Sequence, residues 1–81
     1  MPYIKGEERR YELQTGALPE TDGELAYALT VHVLRYMRSL QVNFENINAV
    51  VGVLDNVKDE FKHRVLRPYE EHKRIENGDV F

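Results

Sequence analysis

The sequence predicts an all-α protein: two long antiparallel helices, a short C-terminal helix after Pro68 and an ordered N-terminal arm, completed by self-association. Apolar residues recur at three- and four-residue steps in two long stretches, 25–40 and 47–65, which is the period of an amphipathic helix. A capping signal precedes the first stretch and a proline closes the second. Strand-like alternation is confined to hints at Tyr3-Ile4 and Val80-Phe81. With 81 residues, the chain has room for one small helical domain and one modest core. A core of that size supplies only about 3–5 kcal/mol, and association of copies is a common remedy.

The arm spans residues 1–20. Glu7 to Gln14 fits a helix of two turns, with Gly16 placed to end it. Leu18-Pro19-Glu20 then interrupts the chain. The first long helix is expected over 21–41. Thr21 and Glu24 have capping-box spacing, in which the hydroxyl accepts from the Glu24 amide and the carboxylate reaches back to the Thr21 amide. Asp22 and Glu24 also suit the positive end of the helix dipole. Leu25, Leu29, Val33, Tyr36 and Leu40 share one stripe, read as the core face. Tyr27, Val31 and Leu34 lie roughly opposite, where a surface helix normally carries polar groups. Two covers fit that second face: another copy of the chain, or the arm with Tyr3, Ile4, Tyr11 and Leu13.

The second long helix is expected over 44–67. Ile47, Val50, Val51, Leu54, Val57, Phe61 and Val65 form one apolar face, while Asn48, Asp55, Asn56, Asp59 and His63 point away. Glu60 and Arg64 have the favourable order for a helical ion pair. Gly52 costs roughly 1 kcal/mol against Ala inside a helix, and its use there is close approach of a neighbour, again read as a second copy. Pro68 lacks the amide that would bond the Arg64 carbonyl, so it ends or kinks the helix. A short helix over 69–77, or a bent continuation, follows, with Asn77-Gly78 as its stop.

Composition excludes several chemistries. The chain has no Cys, hence no disulfide, thiol nucleophile or thiolate zinc site. Eleven Lys and Arg against fourteen Asp and Glu give a net charge of −3, against general nucleic-acid binding. The N-terminus lacks a secretory pattern and no apolar run reaches the ~20 residues of a membrane span, so a cytoplasmic chain is expected. No cofactor is implied.

The stretches Met1-Pro2-Tyr3-Ile4, Gly23-Glu24-Leu25-Ala26-Tyr27-Ala28-Leu29-Thr30 and Phe44 through Val57 resemble a small family of bacterial, archaeal and phage proteins of unknown function. So do Glu60-Phe61, Arg64-Val65, Pro68-Tyr69-Glu70 and Glu76-Asn77-Gly78-Asp79-Val80-Phe81. The resemblance covers nearly the whole chain and implies that 81 residues are a complete protein. It carries no activity, cofactor or catalytic residue. The chain departs from the family pattern at Ala26, where Asn is usual. It departs again at Lys62-His63, where an aromatic residue and Arg are usual, which removes support for a special role of His63.

Each candidate chemistry has a plain structural counterpart. Glu60 and His63 have the Glu-x-x-His spacing of helical metal sites, but they lie on the polar side, where ion pairing explains them more simply. Glu24, Asp55, Asp59 and Glu60 suggest a magnesium-holding acid cluster, as in all-helical nucleotide hydrolases, by analogy of fold class only; a solvated helix face is the simpler reading. Ser39 is the single serine and has no triad context with His32, His63 or His72. Lys62, Arg64, Arg67 and Tyr69 form a candidate anion site, against simple complementation of the helix dipole. No catalytic residue is assigned. The leading expectation is a non-enzymatic homo-oligomer, dimer or higher, that binds its own copy or a partner protein through Tyr27, Val31, Leu34 and Gly52. A phosphate, nucleotide or metal site at a subunit interface is the alternative, and a metal-dependent nucleotide hydrolase comes third.

Overall fold

A computed structural model describes residues 3–81; Met1 and Pro2, which open the Met1-Pro2-Tyr3-Ile4 stretch, lie outside the described residues. The described chain is all-α. Helix α1 spans Glu7–Gln14, α2 Asp22–Met37, α3 Phe44–Phe61 and α4 Arg67–Asn77, with a π-helical turn at Lys62–Leu66 between the last two. The chain divides into two compact units, Met1–Asn46 and Ile47–Phe81.

In the first unit, α1 covers the span expected from Glu7 to Gln14. Its end is built on Gly16, whose φ of 110° lies in the left-handed region that glycine adopts freely. The Ala17 amide then bonds back to the Glu12 carbonyl at 3.0 Å, the wide-looped bond of a Schellman termination. Thr21 caps α2 as its sequence implies, accepting from the Glu24 amide at 3.1 Å. The return half of the capping box differs: the Glu24 carboxylate accepts from the Glu20 amide at 3.0 Å. Helix α2 stops at Met37, short of the expected end near 41. Ser39 and Leu40 donate three residues back, to Tyr36 and Met37, and this tightening into three-residue turns closes the helix.

Asn43 caps α3, its side-chain oxygen accepting from the Asn46 amide at 2.8 Å. The second unit holds the rest of α3, the π turn and α4 in succession along one helical path. Pro68 does not end the helix. The Arg67 amide donates to the Lys62 carbonyl, five residues back, so the ladder widens by one residue just before the proline. Pro68 then falls in the first turn of α4, where a missing N–H costs least. The expected break between 67 and 69 is therefore a π bulge, and the helix runs on to Asn77. Gly78, at φ 93°, terminates it.

Replacing Pro68 by Ala returns the missing donor and lets the π turn relax toward an α-helical ladder. The expected outcome is a higher thermal midpoint by circular dichroism, with a gain of no more than about 3 kcal/mol, the interior cost of proline.

Candidate functional site

Helix α1 packs on α2 in the first unit. At about 100° per residue, Glu24, Tyr27, Val31 and Arg35 lie along one side of α2, and α1 binds that side at three points. Arg9 donates Nε to Glu24 Oε2 at 3.0 Å and Nη2 to Glu24 Oε1 at 2.5 Å, the two-pronged pairing of a guanidinium with a carboxylate. Gln14 donates to the Tyr27 hydroxyl at 2.6 Å. Arg35 donates to the Gln14 carbonyl. Leu13 is the buried apolar residue of α1, 5% exposed. Arg9 also bonds the Leu18 carbonyl at 3.2 Å, tying down the connection between the helices.

Of the two covers open to the second face of α2, this contact is the arm, and it corrects the reading of the other face as the core. The arm covers the Tyr27 side, leaving Tyr27 and Val31 half-buried, whereas the stripe taken for the core carries Leu25, Leu29 and Tyr36 exposed. Periodicity locates apolar faces but does not say which one a neighbour occupies. Here hydrogen-bonding groups on α1 select the face that offers Glu24 and Tyr27. Leu34, at the edge of that face, remains 52% exposed. Arg9 and Gln14 were missed as structural residues because their partners lie 15 and 13 residues away and nothing local marks them.

Glu24 is fully engaged. The hydrogen bond from Arg9, then that from the Glu20 amide, lowers its pKa from 4.5 to about 2. Arg9 is held charged still more firmly than an ordinary arginine, chiefly by its bond to Glu24. A cation sought by this carboxylate would have to displace Arg9, which weakens the acid-cluster reading of Glu24 with Asp55, Asp59 and Glu60.

The second unit contains the other candidates. Ile47, Val51, Leu54, Val57, Phe61 and Val65 are 42–63% exposed, while Val50 is buried. Gly52 lies on the opposite side of α3 from this stripe, and a Cβ built there meets nothing within 4 Å. Its helical neighbours on that side are Asn48, Asn56, Asp59 and His63. Asp55 pairs with Lys58 at 3.8 Å and Glu60 with Arg64 at 2.7 Å. Glu60 is thus occupied by its helix neighbour, and among the described residues no three His, Asp or Glu side chains come together as a metal-ligand set. Of the anion candidates, Lys62 and Arg67 have no ion-pair partner among the described residues. Arg64 is committed to Glu60, and Tyr69 lies under the Lys73 ammonium, 5.9 Å from the ring centre. Past α4, Arg74 pairs with Glu71 and with Asp79 at 3.1 Å, and its hydrogen bond to Glu71 holds that carboxyl below its ordinary pKa.

The sequence profile of the family described as Domain of unknown function (DUF6899) matches residues 1–80. The chain belongs to this family. No curated protein and no solved structure gives a significant match. Membership of DUF6899 brings no assigned activity. No helix among the described residues is long and apolar enough to cross a membrane.

The Arg9–Glu24 pair predicts a pH dependence. Because the folded pKa of Glu24 is depressed, its contribution is whole above pH 4.5 and is lost as the pH falls toward about 2. Urea melts of the native chain and Glu24→Gln across that range should converge at low pH, with the native chain more stable above it.

Proposed function

We propose that this DUF6899 protein is a non-enzymatic, homo-oligomeric interaction module that works in the cytoplasm by binding its own copy or a partner protein. The observation that carries this reading is the apolar stripe of α3. The second unit consists of consecutive segments of one helical path, so no other helix of that unit folds back over Ile47 to Val65. An isolated helix draws most of its stability from burying such a face, and water is a poor partner for six large side chains that are about half exposed. Leu34 on α2 and Gly52 on the far side of α3 are secondary contact candidates, while Tyr27 and Val31 take part only where the arm leaves them uncovered.

Light scattering coupled to size exclusion at tens of micromolar tests the reading. A mass of at least twice the 9.5 kDa chain is expected, and a strict monomer would sink the proposal. Leu54→Glu should return the mass to that of one chain; Leu34→Glu reports separately on α2.

Gly52 supplies a second measurement. A methyl group there meets nothing within the chain, so Gly52→Ala should stabilise the helix by roughly 1 kcal/mol. If a second copy approaches closely at this point, the same change should weaken association while raising helicity.

A second reading has its own observation. The π turn lies directly on Lys62 and Arg64 and abuts Arg67, and such turns often mark functional positions. Lys62 and Arg67 would hold a phosphate-bearing ligand, with Arg64 released from Glu60. Calorimetric titration with a panel of nucleotides checks this reading, and absence of heat across the panel ends it.

A further inference from the structure

The α3 stripe also contains a register. Positions 47, 51, 54, 58, 61 and 65 follow steps of four, three, four, three and four, a pattern that reads the same in both directions and is centred on residue 56. Five of the six are apolar: Ile47, Val51, Leu54, Phe61 and Val65. The sixth is Lys58, which pairs with Asp55 of its own helix at 3.8 Å while both side chains stay largely exposed.

We propose that the partner of this face is a second copy of the chain, packed antiparallel on α3 about a two-fold axis at residue 56. The proposal rests on the self-association reading above and adds its geometry. In this register each pair of opposed positions sums to 112. Ile47 then meets the partner's Val65, Val51 meets the partner's Phe61, and Leu54 meets the stem of the partner's Lys58. The two outer layers pair smaller with larger side chains or β-branched with β-branched ones, the complementarity that knob-and-hole packing requires.

Charge selects this orientation over the parallel one. Near the axis, Asp55 of one copy stands almost level with the partner's Lys58, so two acids and two bases form an alternating cluster. A parallel, in-register pair would instead bring Lys58 against Lys58 within the seam, away from any acid of the partner at that level. Like charges held together in this way are repulsive. A single charged residue in an otherwise apolar seam is a recognised means of specifying register and strand number. Lys58 therefore has a use that its interruption of an apolar stripe otherwise leaves without reason. A second copy is also a partner whose apolar register matches, since the spacing of the stripe reads the same on reversal.

Spin-label distances test both the pairing and its direction. The chain has no Cys, so a single cysteine at Asn48, Asn56 or His63, all exposed and off the stripe, gives one label per copy. In the antiparallel register the two copies' labels are offset along the axis by about 24 Å at position 48, nearly zero at 56 and about 21 Å at 63, from the rise of an α-helix. With helix axes ~10 Å apart and the labels on the outer faces of the pair, the distances at 48 and 63 should exceed that at 56 by on the order of 10 Å. Three equal distances would overturn the antiparallel register while leaving self-association in place. Absence of any inter-label distance at tens of micromolar would overturn self-association itself. As a second readout, Asp55→Lys should weaken association at least tenfold at low salt, and Asp55→Lys with Lys58→Asp should restore it. Restoration failing while each variant keeps its helicity would also count against the central charge cluster.

Discussion

An amphipathic helix that no other helix of its own unit covers is the constraint on which the second unit depends. From Ile47 onward the chain follows one helical path through α3, the π turn and α4. Its own hydrogen bonds satisfy the backbone, but they do nothing for the apolar stripe. Helix formation in water is marginal for most sequences, and tertiary burial supplies most of the stability. The proposed self-association rests on this half-exposed stripe from Ile47 to Val65.

The first unit meets the same difficulty differently. The α1 helix is short and polar, with Leu13 as its buried apolar residue. It is fastened to α2 largely by directional bonds: Arg9 to Glu24, Gln14 to Tyr27 and Arg35 to the Gln14 carbonyl. Such bonds specify position more than they add net stability. Glu24 gathers three contacts: its amide donates to the Thr21 hydroxyl that caps α2, and its carboxylate accepts from the Glu20 amide and from Arg9. The carboxylate that the sequence marks as half of a capping box serves mainly as the anchor of the arm.

The π turn shows how a local conflict is resolved without breaking an element. Pro68 removes a donor and crowds the carbonyl four residues before it. Widening the ladder by one residue at Lys62–Leu66 shifts the bonding pattern ahead of the proline. The proline then sits in the first turn of α4, whose φ it already prefers. The cost of one irregular turn leaves a helical path from Phe44 to Asn77.

The sequence by itself determined the helical class, the bounds of α1, the Thr21 start of α2, the start of α3 at residue 44, the Glu60–Arg64 pair and the apolar stripe of α3. These depend on residues within a turn or two of one another, where spacing translates directly into geometry. Only the tertiary structure decided that the arm lies on the Tyr27 side of α2, one of two covers open to that face, because Arg9 and Gln14 find partners that no local pattern announces. It also decided that Pro68 bends the hydrogen-bond ladder and does not end the helix, since a proline's cost depends on whether the preceding turn can widen. Leu25, Leu29 and Tyr36 are apolar and helically spaced, yet they face solvent, while the more mixed side with Glu24 and Tyr27 takes the contact. Apolar spacing states that a face can be buried; the location of the complementary hydrogen-bonding groups determines which face is covered.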